Sequence, residues 1–257
     1  MTSMRMTRRR FGAIAGGTFG SFAFGDGCRL ASEPLQGSDG RLTARPRSDV
    51  ATSVEGRRPL GLERQRDAIL QVPAGAKGPL PLVVLLHGAG GSGEGVLRRL
   101  GASAEEAGVA VLAPDSRDST WDAIRDEFAR DVAFIDRALE RVFGMVSIDA
   151  ARVAVGGFSD GATYALSLGL INGDLFRRIA AFSPGFLVNG APHGRPRFFI
   201  SHGTADPILP IDHCSRVIVP RLQRLGYDVT FREFEGRHEV PPAVAQEGMR
   251  FIAAPGT

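Results

Sequence analysis

Short apolar runs alternate with longer amphipathic stretches over most of the chain. Apolar runs bounded by Gly or Pro predict buried strands, and apolar residues at steps of three and four predict helices. This alternation favours a mostly parallel sheet with helices on both faces, in which 68–72 lies at an edge. The predicted strands are 68–72, 82–86, 109–113, 152–156, 179–183, 198–201 and 228–234, and the predicted helices are 95–107, 122–143, 162–168, 215–225 and 244–253.

Length and composition suit one α/β unit with a full core, because the chain has 257 residues of which 43% are hydrophobic and 23% charged. The positive charge is concentrated at the N-terminus. Residues 1–60 contain ten Arg against five Asp and Glu, whereas 61–257 are slightly acidic. Since the basic excess lies outside the main domain, we expect no nucleic-acid partner.

The N-terminal segment has the order of an export signal. Thr7-Arg8-Arg9-Arg10-Phe11 precedes a weakly apolar stretch over 12–25, which predicts a twin-arginine-type signal peptide over 1–28 and a periplasmic or extracellular protein. Cys28 follows small residues, as in a lipoprotein signal, but Asp26 departs from the usual pattern. A membrane tether through lipidated Cys28 therefore stays open.

The polar stretch over 29–60 predicts a flexible linker, because it is rich in Pro, Ser and Arg. This leaves 61–257 as the catalytic domain. Cys28 and Cys214 are the only cysteines, and no zinc spacing is present, so neither a metal nor another cofactor is expected.

A Gly-Phe-Ser-Asp-Gly run, Gly157 to Gly161, joins strand 152–156 to helix 162–168. A serine at such a turn is typical of the nucleophile elbow of serine hydrolases, because the tight turn needs small flanking residues. The helix N-terminus also favours negative charge beside the serine hydroxyl. The alternative is an ordinary glycine-rich turn in which Ser159 caps a helix.

A second glycine-rich loop, His87 to Gly91, follows the apolar strand 82–86. Small residues let backbone N–H groups approach a substrate oxygen that becomes negative during acyl transfer. We therefore assign the oxyanion hole to the N–H groups of Ala89 and Asp160. A phosphate-binding loop is disfavoured, because no Lys-Ser or Lys-Thr pair follows the glycines.

Two further loops supply an acid and a base. Asp206 follows strand 198–201 directly, and His238 follows strand 228–234. A triad needs an acid that fixes the tautomer of the histidine, and Asp206 is favoured over its neighbour Asp212 because it comes directly after the strand end. Among the five histidines, His87 and His202 are interpreted as structural because each lies beside a glycine at a strand end.

These features together resemble an α/β-hydrolase of the phospholipase/carboxylesterase type, related to dienelactone hydrolases and polyhydroxybutyrate-depolymerase-like esterases, over about 63–253. The resemblance implies that Ser159 is the nucleophile, Asp206 the orienting acid and His238 the base. Asp160 departs from the Gln or Asn that relatives often carry. The resemblance rests on Leu86-His87-Gly88, Asp131-Val132-Ala133-Phe134-Ile135, Ile148-Asp149-Ala150-Ala151-Arg152-Val153, the serine turn and the loops of Asp206 and His238.

The implied activity is hydrolysis of a small-molecule or polymer-end carboxylic ester, with no cofactor. An acyltransferase or peptidase using the same triad, and a non-catalytic exported protein of this fold, are the alternatives. No insertion is long enough for a large lid domain, so we expect an open pocket. Its predicted lining is His87, Gly88, Trp121 and Phe186, although Trp121 equally suits a core position.

Overall fold

The computed structural model describes residues 39–125, 128–188 and 190–256, so the predicted signal peptide, including Cys28, lies outside the described residues. Eight strands and six α-helices alternate along these ranges. The strands are β1 Gly56–Pro59, β2 Ala68–Val72, β3 Leu80–Leu86, β4 Ala110–Pro114, β5 Ile148–Phe158, β6 Arg178–Phe182, β7 Arg197–Gly203 and β8 Val229–Phe234. The helices are α1 Gly93–Glu106, α2 Asp122–Arg125, α3 Arg130–Phe143, α4 Asp160–Ile171, α5 Ser215–Arg224 and α6 Pro242–Ala253.

The eight strands form one sheet in the order β1-β2-β4-β3-β5-β6-β7-β8. The β1–β2 and β2–β4 pairs are antiparallel, and all other pairs are parallel. This confirms the predicted α/β-hydrolase architecture, a mostly parallel sheet with helices. The chain passes from β3 to β4 on one side and then returns to β5 on the other, so the strand order reverses at β3.

Helices cover both faces of the sheet. Since successive side chains of each strand point to opposite faces, each buried strand contributes to two apolar cores. In β3, Leu82 and Val84 belong to one apolar core, which also contains residues of α3, α4 and α5. Val83 and Leu85 belong to the second core, together with residues of α1 and α6. Two buried faces explain why the central strands are apolar without alternation.

The prediction of a flexible linker over 29–60 is wrong for its described part. Leu42 is 2% exposed, and its N–H donates to Asn172 Oδ1 at 2.8 Å. Arg41 Nη1 lies 2.7 Å from Asp174 Oδ1, and Thr43 N–H donates to Asp136 Oδ1. These apolar and polar contacts hold the segment against the domain, which therefore begins before residue 61.

The expected position of 68–72 at a sheet edge is also wrong. β1 lies outside β2 in the sheet and pairs with it antiparallel, from Gly56 opposite Val72 to Pro59 opposite Ile69. The sequence Gly-Arg-Arg-Pro has no strand pattern, and all four residues are exposed. β1 is therefore held by its backbone hydrogen bonds to β2 rather than by the burial of apolar side chains.

The predicted single helix over 122–143 is interrupted between α2 and α3. The Asp122 carboxylate accepts N–H bonds from Ala129 at 2.9 Å and from Asp131 at 2.8 Å. Ala129 has φ −148° and ψ −95°, which is outside the helical region. The side-chain acceptor therefore replaces the backbone acceptor that a continuous helix would need.

Two absences concern only the part of the chain that the structure describes. No helix there has the length and apolarity needed to span a bilayer. No group of three or more His, Cys, Asp or Glu side chains there is arranged to hold a metal ion. The described free thiol, Cys214, is buried just before α5, where burial raises its pKa to about 11.

Candidate active site

The site lies where β3 and β5 end side by side. Parallel strands bring their carboxyl ends to one edge of the sheet, and a crevice forms where the strand order reverses. His87 follows β3 and Ser159 follows β5, and Leu86 and Gly157 are register partners. The loops after β7 and β8, which carry Asp206 and His238, reach the same edge.

Ser159 has a backbone conformation that is rare for a residue with a side chain, with φ 58° and ψ −123°. Its N–H donates to Phe182 O at 3.0 Å, and its carbonyl oxygen accepts from Ala162 and Thr163 in the first turn of α4. These bonds hold the turn in its strained conformation. A backbone conformation of this kind costs about 1–3 kcal/mol of folding free energy. The strained backbone directs the hydroxyl toward the histidine loop rather than into a cap of α4.

The flanking glycines are required by contact with other backbone atoms. A Cβ atom on Gly161 would lie 2.1 Å from Leu86 O, and one on Gly157 would lie 2.5 Å from the carbonyl group of Gly161. A Cβ atom on Gly88 would lie 3.2 Å from Ser159 Cβ. The serine turn, the end of β3 and the His87 loop are thus packed closely enough to exclude side chains.

Ser159, His238 and Asp206 form a continuous hydrogen-bonded chain. His238 Nε2 lies 2.9 Å from Ser159 Oγ, and His238 Nδ1 lies 2.6 Å from Asp206 Oδ2. Because a carboxylate accepts, Nδ1 carries the proton and Nε2 is free to accept from the serine hydroxyl. The ring of His238 also packs on Phe158, with 4.7 Å between centroids.

Asp206 is held as an anion by several donors. Its Oδ1 accepts N–H bonds from Ile208 at 2.8 Å and Leu209 at 2.9 Å. Burial would raise the pKa of this carboxyl, but the N–H bonds and His238 outweigh burial and hold the pKa below its usual value. The rival Asp212 instead pairs with Arg216 on the surface, at 2.7 Å.

A buried histidine, His202, contacts the same oxygen of Asp206 as His238 does. His202 Nε2 lies 2.7 Å from Leu209 O and 3.2 Å from Asp206 Oδ2, and its Nδ1 lies 2.7 Å from Ser215 Oγ. The carbonyl oxygen can only accept, so Nε2 carries the proton. Burial lowers the pKa of His202, which keeps the ring neutral. The sequence identified His202 as structural but gave no sign of this contact.

His87 uses one ring nitrogen within its own loop and the other toward the loop after β4. Nε2 accepts from Ser116 N at 3.0 Å, so Nδ1 donates to Gly88 O at 2.8 Å. The residue is 2% exposed, and burial lowers its pKa. A neutral ring with both nitrogens occupied fixes the loop and has no free atom for proton transfer.

Trp121 is not part of an open pocket surface, because it is fully buried. Its Nε1 donates to His87 O at 2.8 Å, and its ring packs against Tyr164, with 5.3 Å between centroids. Nearby, Ser119 O accepts from Gly90 N. The predicted pocket role of Trp121 is therefore wrong, and the core alternative applies: the tryptophan holds the glycine-rich loop in place.

The buried carboxyl group of Asp131 and the half-buried one of Asp122 hold the Trp121 loop in turn. Asp131 accepts from Arg117 N at 2.6 Å and from Asp122 N at 2.7 Å. Asp122 accepts from the Tyr164 hydroxyl at 2.9 Å. The sequence gave no signal that Asp122 and Asp131 contact each other, because their contact depends on the break between α2 and α3.

The two predicted oxyanion donors flank the serine. Asp160 is the first residue of α4, and Ala89 lies in the loop that touches Ser159 through Gly88. Among the described residues, neither N–H has a protein acceptor. Unsatisfied N–H groups beside a candidate nucleophile are available to a substrate oxygen. The Asp160 carboxylate is engaged elsewhere, since Thr120 Oγ1 donates to its Oδ2 at 2.6 Å.

A cavity of about 470 Å³ opens beside this arrangement. The predicted pocket residues His87 and Gly88 line it, whereas Phe186 does not and is 46% exposed in the loop after β6. The charged lining residues are arginines of α1, which sequence reasoning missed. The lining consists of His87, Gly88, Ala89, Gly91, Ser92, Gly95, Val96, Arg98, Arg99 and Phe158.

Known proteins with related sequences are esterases by name. The candidate esterase NocK of Nocardia uniformis subsp. tsuyamanensis is 32% identical over 146 residues, which are 52% of this chain and 42% of NocK. Feruloyl esterase C of Emericella nidulans is 31% identical over 158 residues, which are 57% of each chain. The chain thus spans about half the length of the curated relatives it matches.

A solved structure and a family model agree with these matches. The crystal structure of esterase PE8 superposes with a TM-score of 0.57 at 24% identity, covering 71% of this chain and 95% of PE8. At that identity the likeness shows the fold alone. The family model described as phospholipase/carboxylesterase matches residues 109–254, which is more than half of the chain. The chain belongs to the phospholipase/carboxylesterase family of α/β-hydrolases.

Proposed function

We propose that this protein is a serine hydrolase that cleaves carboxylic esters through an acyl-enzyme intermediate. The observation that carries the proposal is the hydrogen-bonded chain from Ser159 Oγ through His238 to Asp206. Membership of the phospholipase/carboxylesterase family and the esterase names of the relatives support it. In this proposal Ser159 is the nucleophile, His238 the general base and Asp206 the acid that orients it.

The first half-reaction forms the acyl-enzyme. Ser159 Oγ attacks the ester carbonyl carbon while its proton passes to His238 Nε2, which the Asp206 contact leaves unprotonated. The N–H groups of Ala89 and Asp160 stabilise the oxygen that becomes negative, and each such donor lowers the barrier by about 3–4 kcal/mol. His238 then gives its proton to the departing alcohol, which leaves the acyl group on Ser159.

The second half-reaction releases the acid. Water takes the place of the alcohol, and His238 Nε2 removes a proton as the water oxygen attacks the acyl carbon. The same two N–H groups hold the second negative oxygen. Collapse of this intermediate returns the proton to Ser159 Oγ and restores the starting state, so no cofactor enters the cycle.

The cavity beside Ser159 bears on the substrate. It is open to solvent, which suits small esters and ester groups at polymer ends. Its charged lining residues, Arg98 and Arg99, favour a substrate with a carboxylate or another oxygen acceptor near the scissile bond. Arg99 stacks on Phe158 with its guanidinium carbon 4.3 Å from the ring centroid, and it has no acidic partner among the described residues. Feruloyl esters are a further class to test.

Export is a separate part of the proposal. The twin-arginine-type sequence over 1–28 directs the protein to the periplasm or the outside of the cell, and lipidation at Cys28 gives a membrane tether. Fractionation of cells that express the full chain, followed by mass determination, tests both steps. Export that persists when Arg8 and Arg9 are changed to Lys contradicts the signal, and an unlipidated mass contradicts the tether.

The catalytic proposal is tested with a p-nitrophenyl ester series, methyl ferulate and a fluorophosphonate probe. We expect ester cleavage and a stoichiometric covalent label on the native protein, and we expect Ser159→Ala to lose both, with a rate loss of about 10⁶-fold. Alcohol and amine acceptors in the same assay separate acyl transfer from hydrolysis, and a peptide panel tests peptidase activity. Equal rates in the native protein and the variant would falsify the proposal.

A further inference from the structure

A second cavity lies at the opposite end of the sheet from Ser159. Its volume is about 510 Å³, and four of its lining residues are Arg177, Arg178, Arg195 and Arg197. Arg178 and Arg197 begin β6 and β7, whereas Ser159 follows the end of β5. The strands are parallel, so the length of one strand, about 20 Å at about 3.3 Å per residue, separates this cavity from the candidate active site.

The arrangement places like charges together. Arg178 and Arg197 are register partners on neighbouring strands. Like charges directly opposite each other destabilise a sheet. Burial, followed by the charges of Arg197 and Arg152, lowers the pKa of Arg178. The described protein supplies few compensating carboxylates: Asp228 contacts Arg197 at 2.6 Å, and no acidic side chain contacts Arg177, Arg178 or Arg195.

Arg178 provides an independent sign of a ligand site. It is 3% exposed, and its Nη2 donates to Pro255 O at 2.5 Å. Its Nε is buried and has no hydrogen-bond partner among the described residues. A buried donor without an acceptor costs about 1–3 kcal/mol, or more when the group is charged. Arg178 lines the cavity, and one bond, to Pro255 O, is its only side-chain hydrogen bond among the described residues, so its guanidinium group has further donor capacity for an oxygen ligand.

We propose that this arginine-lined cavity is a binding site for a phosphate group. Among the described residues, Arg177, Arg178 and Arg195 have no acidic partner, so this cavity has an excess of positive charge that the single carboxylate of Asp228 does not neutralise. A phosphate carries about −1.5 to −2 charges and three acceptor oxygens at neutral pH. Planar guanidinium groups bind phosphate oxygens in pairs, so several arginines can share one group. The chemistry is the same whether the phosphate is free in solution or belongs to a lipid headgroup.

Arg177 and Arg195 are the residues to change, because both are exposed and neither belongs to the apolar core. Arg195 Nη2 donates to Gly226 O at 2.9 Å, and Arg177 has no side-chain partner among the described residues. Replacement of the buried Arg178 risks the fold. Arg224 in α5 is a matched control, since it is exposed and lies outside the cavity lining.

The experiment is calorimetric titration of the full chain with inorganic phosphate, pyrophosphate and acetate at constant ionic strength. We expect one saturable phosphate or pyrophosphate site, with affinity reduced about tenfold in Arg177→Ala and in Arg195→Ala and unchanged in Arg224→Ala. Acetate is expected to bind at least tenfold more weakly. Unfolding curves equal to those of the native protein establish that the variants are folded.

Vesicles of phosphatidylcholine with and without phosphatidic acid distinguish the source of the phosphate. Sedimentation with phosphatidic acid vesicles that both variants lose assigns the site to a lipid headgroup, and titration by soluble phosphate alone assigns it to a free ligand. The proposal is overturned if neither form binds, or if binding is equal in the native protein and both variants. The Ser159→Ala variant is expected to bind as the native protein does.

Discussion

His202 Nε2 lies 3.2 Å from Asp206 Oδ2, the same oxygen that lies 2.6 Å from His238 Nδ1. One oxygen of Asp206 thus contacts two imidazole rings, of which that of His202 is fully buried and neutral. Leu209 O fixes the tautomer of His202 by accepting from its Nε2, so Ser215 Oγ donates to His202 Nδ1 at 2.7 Å. We infer that His202 is a positioning residue, which acts on His238 through Asp206.

Replacement of His202 tests this relationship. In His202→Gln an amide N–H on a flexible side chain replaces the N–H that the buried ring holds in one direction, so the Asp206–His238 pair is expected to lose its alignment. We expect kcat toward a p-nitrophenyl ester to fall between about ten and a hundredfold with little change in KM, because misalignment acts on the transition state. His213→Gln, at an exposed neighbouring position, is the control. An unchanged kcat in the folded His202→Gln variant contradicts the positioning role.

Replacement of a glycine beside Ser159 tests the close backbone packing at this turn. In Gly161→Ala the new Cβ atom would lie 2.1 Å from Leu86 O, a backbone atom in the central strand that cannot easily move. We expect loss of soluble protein or a fall of more than about 4 kcal/mol in the free energy of unfolding. Gly144→Ala, whose Cβ atom would lie 3.5 Å from Arg141 O, is expected to remain stable. The measurement is urea unfolding of both variants. Similar unfolding midpoints in Gly161→Ala and Gly144→Ala would contradict this account.

The sequence predicted the architecture well, because two buried faces make the parallel strands apolar and the covering helices amphipathic. It failed where long-range polar contacts override local pattern. β1 has no apolar signal and is held by its ladder to β2. The break between α2 and α3 depends on N–H bonds to the Asp122 side chain, which a pattern with helical spacing does not reveal.

The same distinction applies to the candidate site. The positions of Ser159, Asp206 and His238 follow from strand ends and turn residues, which are local signals. The burial of Trp121 and the contact of His202 with Asp206 depend on which loops meet in space. Sequence spacing carries no record of such contacts, so the sequence identified His202 as structural and left Trp121 between a pocket and a core position, without showing what either residue contacts.

The Asp160 side chain is expected to be dispensable. The proposed oxyanion donor is its backbone N–H, and its carboxylate accepts from Thr120 Oγ1 instead. Asn offers one oxygen to the same hydroxyl, so Asp160→Asn is expected to keep kcat/KM within about threefold, a change of less than 1 kcal/mol. Asp160→Pro, which lacks the N–H, is the contrasting variant. A large loss in Asp160→Asn would assign the carboxylate a direct role.

Asp131 gives a prediction about pH. Burial, followed by the charge of Asp122, raises the pKa of Asp131 to about 6, above the value of an unfolded chain. A carboxyl with a raised pKa in the folded state stabilises the fold at low pH, and this contribution is lost as pH rises from about 4 to about 6. Two pKa units correspond to about 3 kcal/mol.

The measurement for Asp131 is urea unfolding between pH 4 and pH 7. We expect the stability difference between the native protein and Asp131→Asn to change by up to about 3 kcal/mol over this range, in favour of the native protein at low pH. Asp49→Asn, at an exposed position, is expected to show no such trend. A difference that does not vary with pH contradicts the raised pKa.

Arg99 is expected to select among esters. Its guanidinium lies over Phe158 at the wall of the cavity beside Ser159, where a substrate carboxylate can pair with it. In Arg99→Ala we expect KM for a monoester with a free carboxylate to rise about tenfold, the effect of losing one charge-assisted hydrogen bond, while the matched dimethyl ester is unaffected. The neutral ester controls for lost packing on Phe158, because an effect of packing would change KM for both substrates. Equal changes for the two esters would mean that Arg99 supports the cavity wall and does not recognise charge.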